Sequence, residues 1–117
     1  MKRILIVDDS IVSRKMLRKL FETEGFEVAG EAINGKEGYE LYVKLSPDVV
    51  TMDVTMPEMN GIDSLRLIRK YDPNAKVILL TAAGQLEKKA EADELGAVCY
   101  LTKPYENKDI IDAINNC

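Results

Sequence analysis

The 117-residue chain is 46% hydrophobic and 31% charged, which suits one globular domain and is too short for two. Its formal net charge of −4, with no dense cluster of Lys and Arg, argues against nucleic acid as a direct partner. No apolar run reaches the ~20 residues that a bilayer span needs, and Cys99 and Cys117 form neither a metal-ligand spacing nor a disulfide framework, so a cytoplasmic protein without membrane contact is expected.

In chain order, Ile4-Leu5-Ile6-Val7 is a continuous apolar run, the pattern of a strand covered on both faces, and it ends on Asp8-Asp9. Ser10 can cap a helix in which Val12, Met16, Leu17, Leu20 and Phe21 recur at helical spacing, while Arg14, Lys15, Arg18 and Lys19 face away into water. Gly25 stops that helix. Phe26 to Ala32 reads as an edge strand, and Asn34-Gly35 turns into a helix carrying Leu41, Tyr42 and Leu45, ended by Pro47. The run from Val49 is a buried strand that ends abruptly on Asp53. Pro57 cannot continue a sheet, and Asn60-Gly61 is a turn signal before a helix through Ile62, Leu65 and Ile68.

After the breaker Asp72-Pro73-Asn74, Val77 to Leu80 forms a fourth strand ending on Thr81. Ala82-Ala83-Gly84 leads to a helix from about Gln85 to Leu95, closed by Gly96. Val98 to Leu101 is a fifth strand, followed by Thr102-Lys103-Pro104 and a last helix with Ile110, Ile111 and Ile114. Strict alternation of strands and helices predicts a parallel sheet with helices on both faces, a three-layer α/β sandwich.

Parallel strands bring their carboxyl ends to one edge, where ligands bind in open α/β sheets. The residues gathered there are Asp8, Asp9, Asp53, Thr81 and Lys103. Position alone leaves Asp53 open as a turn residue or a reactive group; four strand ends together favour a site. Carboxylates sharing a crevice repel by about 4 kcal/mol per pair at 4 Å and an effective dielectric of 20, so a cation is required. Mg2+ fits best, because it takes one or two carboxylates and completes its shell with water and phosphate oxygens. Cation, lysine and hydroxyl would polarise a phosphoryl group that a carboxylate could accept. The chain has no His, no Walker loop and no GxGxxG, which argues against a bound nucleotide.

Asp8-Asp9, Asp53 with Met56-Pro57 and Gly61, Thr81-Ala82 and Lys103-Pro104 closely resemble the receiver domains of two-component response regulators, from about Arg3 to the final helix. The stretch Met52 to Asp63 is most similar to the stand-alone chemotaxis members, and residues 1–117 are expected to be one receiver domain with no output domain. The resemblance implies a flavodoxin-like (βα)5 fold with strand order 2-1-3-4-5. It implies that Asp53 is the phosphoacceptor for a sensor histidine kinase, and that Asp8, Asp9, Asp53 and the Thr55 carbonyl hold Mg2+. Lys103 would pair with the phosphoryl group, Lys103-Pro104 would be cis, and Thr81 with Tyr100 would form the switch.

The implied output face runs over Leu86 to Leu95, Tyr100 and Tyr105 to Asn115, toward a downstream protein such as the flagellar motor switch, with a phosphatase as a further partner. Thr55 and Ala83, beside the path of an attacking water, would tune loss of the phosphoryl group; small Ala83 implies an intermediate lifetime. Such a protein is a signalling phosphoacceptor, not a turnover enzyme. Within the family the alternative is a receiver fragment of a transcription-regulating or phosphorelay response regulator. Outside it, a haloacid-dehalogenase-type phosphatase would want a second Asp where Thr55 stands, and an FMN carrier would bring its phosphate against Asp8 and Asp9.

Overall fold

Three strands with apolar side chains on both faces fill the middle of the sheet: β1 (Arg3–Val7), β3 (Val49–Asp53) and β4 (Val77–Thr81). The structure, a computed structural model, describes residues 2–81 and 86–117, with side chains at 86–88 excepted. The half-exposed strands β2 (Glu27–Ala32) and β5 (Cys99–Thr102) take the edges, giving a parallel sheet in the order β2-β1-β3-β4-β5. The alternation with helices is that expected from the sequence pattern, and the order is the one the resemblance implied.

Side chains alternate along the buried strands, so the core divides in two. Leu5, Val7, Val50, Met52 and Leu79 meet Tyr42, Ile62, Leu65, Ile68 and Ala92 from α2 (Gly35–Leu45), α3 (Gly61–Tyr71) and α4 (Leu86–Glu94). Ile4, Ile6, Val49, Ile78 and Leu80 meet Leu17 and Phe21 of α1 (Ile11–Thr23) and Ile110 and Ile114 of α5 (Asn107–Asn115). Each such side chain contributes about 1.5–3 kcal/mol by leaving water, which fixes the helices to opposite faces.

Helix ends follow local chemistry. The Ser10 hydroxyl accepts from the Ser13 N–H at 3.2 Å. Both Asn-Gly pairs lead into helices, as read from sequence, and the Asn34 and Asn60 side chains cap them, accepting from the Glu37 and Asp63 N–H groups at 2.8 and 2.9 Å. Gly25 and Gly96 take left-handed φ values of +88° and +89° just past α1 and α4.

Helix α1 departs from expectation. Val12 and Met16 are 63% and 67% exposed, and Leu17 and Phe21 carry the burial. The five apolar positions span too wide an arc for one helix face to cover. Arg14, expected in water, keeps only 13% of its side chain exposed, because its guanidinium donates to the Asp8 carbonyl at 2.8 Å and to Glu31 at 3.2 Å.

Candidate functional site

Parallel register delivers the site. Asp53 is the last residue of β3 and pairs with Leu80, so Thr81 lies one step beyond it on the neighbouring strand. Asp8 follows directly on β1, its N–H donating to the Ala32 carbonyl at 3.0 Å. Carboxylate oxygens of Asp8, Asp9 and Asp53 all lie within 4.8 Å of one another. The Lys103 Nζ stands 3.9 Å from Asp53 Oδ1. The Lys103 N–H donates to the Thr81 carbonyl at 2.7 Å, which ties the exit of β5 to the end of β4, and the Lys103–Pro104 peptide is cis.

Charge in this cluster is poorly compensated. Asp53 is 14% exposed in its side chain, and its carboxyl is pushed from the ordinary 3.8 up to about 6. Burial is the main cause; Asp8 and Asp9 add to it, while Lys103 and the Val54 N–H oppose it. Asp8, 3% exposed, is also raised, again by burial first, although it accepts from the Ser10 N–H at 2.8 Å and feels Lys103 and Arg14. One lysine therefore does not balance three acids.

Other expected residues sit as follows. Thr81 is buried at the end of β4 and faces Thr102 in register. Tyr100, in β5, is half-buried and packs on the core shared by α2, α3 and α4. Thr55 is exposed in the loop after β3, and Ala83 lies outside the described residues. Gly61 closes that loop: its N–H donates to the Val54 carbonyl at 2.8 Å, and a Cβ there would collide with the Asp53 carbonyl.

Sequence reasoning placed Tyr105 only on the output face. In the structure its phenol is held above the usual range by burial and then by the Asp8 and Asp53 charges. The signal was an aromatic two residues past Lys103 on the same turn. Tyr105 also lines a groove of about 590 Å³ between α1 and the segment after β5, with Met16, Leu17, Leu20 and Lys103.

The donor set suits a hard divalent cation. It offers carboxylate oxygens alone, in a cluster whose burial leaves it short of positive charge, and the chain has no His to compete. The residues present therefore fit Mg2+.

Residues 4–115 match the family of the response regulator receiver domain. The chain belongs to that family. As a receiver domain it is 50% identical over 114 residues to the chemotaxis protein CheY of Thermotoga maritima, covering 97% of this chain and 95% of that one. It is 43% identical over 113 residues to the chemotaxis protein CheY of Bacillus subtilis, covering 97% and 94%. Among solved structures, the CheX-CheY-BeF3-Mg2+ complex from Borrelia burgdorferi superimposes with a TM-score of 0.93 at 33% identity, over 98% of this chain and 87% of that one. Receiver domains serve two-component signalling, with input from a histidine kinase and output to a downstream target, and bind Mg2+ at an acidic pocket; this chain has an acidic cluster in Asp8, Asp9 and Asp53. Among the described residues, no helix is long and apolar enough to cross a membrane.

Proposed function

We propose that Asp53 accepts a phosphoryl group from a phosphohistidine of a sensor kinase, and that residues 1–117 act as one receiver signalling through protein contact. The observation that carries this reading is the Asp53 carboxylate at the end of β3, with Lys103 Nζ at 3.9 Å and carboxylate oxygens of Asp8 and Asp9 within 4.8 Å. An Asp53 oxygen attacks phosphorus in line as the phosphorus–nitrogen bond to the donor imidazole breaks; the leaving imidazole takes a proton, and Asp53 becomes an acyl phosphate. Such transfer asks the protein chiefly for position and charge.

Lys103 supplies a positive charge to the incoming phosphoryl oxygens, and Thr81 offers a hydroxyl from the adjoining strand end. Asp8, Asp9, Asp53 and the Thr55 carbonyl are the ligands for Mg2+. When bound, that ion neutralises phosphoryl charge.

The phosphoryl group adds close to two negative charges. Thr81 moves toward them, Tyr100 turns inward behind it, and the face made by α4, β5 and α5 changes shape for its downstream partner. Similarity to two chemotaxis proteins named CheY supports a chemotaxis role; the partners proposed with it are a flagellar motor switch as target and a phosphatase that ends the signal.

The test is incubation with Mg2+ and acetyl phosphate, followed by intact mass measurement of the wild type and Asp53→Asn. A single phosphoryl increment on the wild type alone is expected. No increment, or equal labelling of both proteins, overturns the assignment. A pull-down of phosphorylated against free protein with flagellar-switch proteins then tests the output, and equal capture of both forms refutes the switch.

A further inference from the structure

The loop after Asp53 is gripped at a point away from the acidic cluster. Both polar backbone groups of Gly35, at the start of α2, are engaged: its N–H donates to the Met59 carbonyl at 2.9 Å, and its carbonyl accepts from the Ser64 hydroxyl at 2.7 Å. Ser64 is fully buried in the first turn of α3, where its own N–H donates to the Asn60 carbonyl at 3.1 Å. Beside this contact the Asn34 amide donates to the Glu58 carboxylate at 3.4 Å. Glu58 holds a left-handed φ of +64°, a conformation that a glutamate keeps only where its surroundings over-determine it. Room is equally tight, since a Cβ on Gly35 would collide with the Met59 carbonyl.

These contacts converge on residues 58–60, the outer limb of the loop whose inner limb carries Thr55. A buried hydroxyl with a single well-placed acceptor is a costly group to carry unless the bond fixes something. We propose that Ser64 is a positioning residue for the metal-binding loop: its hydroxyl sets Gly35, Gly35 pins Met59, and the loop is preformed around the Thr55 carbonyl before the cation arrives. This inference rests on the reading of Asp8, Asp9, Asp53 and Thr55 as the magnesium ligands. The loop's readiness is thus set from α2 and α3, by groups that touch neither the cation nor the phosphoryl group.

Calorimetric titration of the full chain with MgCl2 tests it, paired with thermal unfolding of each protein without metal. Ser64→Ala removes the bond that holds Gly35 and is expected to weaken Mg2+ binding roughly three- to ten-fold. Ser64→Thr keeps the hydroxyl and is expected to bind within about two-fold of the wild type. A merely structural serine would lower the unfolding temperature of Ser64→Ala and leave its Mg2+ affinity unchanged, and that result overturns the proposal. Should Ser64→Ala fail to fold, Ser64→Cys, with its weak thiol donor, is read in the same way. Failure of the wild type itself to bind Mg2+ sinks the parent reading and this inference together, whereas wild-type binding with an unaltered Ser64→Ala sinks this inference alone.

Discussion

Replacing Asp53 by Asn should make the metal-free protein more stable at neutral pH. In the folded chain, burial and the neighbouring Asp8 and Asp9 push the Asp53 carboxyl from 3.8 up to about 6. A raised carboxyl means that the native state binds the proton more tightly than the unfolded state. Stability therefore falls as pH climbs from about 4 to about 6, and the full penalty is present above that range. Each tenfold change in proton affinity is worth about 1.4 kcal/mol, so holding Asp53 ionised at pH 7 costs up to about 3 kcal/mol.

The amide of the Asp53→Asn variant carries no charge to desolvate, and Lys103, 41% exposed in its side chain, keeps water in exchange for the lost ion pair. A gain of about 1–3 kcal/mol is expected for the variant near pH 7, shrinking to nothing below about pH 4. Urea unfolding followed by circular dichroism at both pH values, without metal, measures it as a higher midpoint at unchanged slope. Added Mg2+ should then narrow the gap, because mass action stabilises the protein that binds it better. Equal or lower stability of Asp53→Asn at neutral pH, or a gain that persists in acid, would refute the reasoning.

Other consequences can be measured separately. Lys103→Met removes the main group that holds the Asp53 carboxyl down, so its titration, followed by carboxyl carbon NMR without metal, should move above the wild-type value near 6; an unmoved titration contradicts the ion pair. Thr51, buried in β3, has a hydroxyl with no partner among the described residues. Thr51→Val should accordingly stabilise the fold by about 1 kcal/mol in urea unfolding, and a loss of stability would mean that the hydroxyl is satisfied. Ala83→Leu should slow loss of the phosphoryl group by crowding the attacking water, and an unchanged or faster decay of the phosphoform rejects that role.

Much of the site was legible because parallel topology converts strand ends into neighbours. Asp8, Asp53, Thr81 and Lys103 each follow an apolar run, and the sheet order β2-β1-β3-β4-β5 brings those ends together. What escaped the sequence was geometry set by how helices lie on the sheet. Periodicity grouped Val12 and Met16 with Leu17 and Phe21, yet the sheet covers a narrower arc than the apolar positions span, and it turns Val12 and Met16 outward. Arg14 looked solvated because charge usually is; its value as a donor to the Asp8 carbonyl and Glu31 depends on contacts across β1 and β2 that no local pattern encodes. The Asn-Gly pairs were read as turns leading into helices, and what the pattern did not show is that the Asn side chains themselves cap those helices. Ser64 gave no signal at all, since its partner Gly35 lies 29 residues away.

The hydrogen bond from Gly61 to Val54 makes the loop between them a noose with a tied neck. Whatever residues 55–57 do, strand and helix meet at a fixed junction, so rearrangement in that part of the noose need not drag β3 or α3 with it, while residues 58–60 stay bonded to α2 and α3. Lengthening the noose costs only slowly rising closure entropy, whereas cutting the knot releases the end of the strand that bears Asp53. Diversity should therefore be tolerated at residues 55–57 and refused at the two ends and along the gripped limb 58–60, which leaves that part of the loop free to specialise while the carboxylate stays where it is.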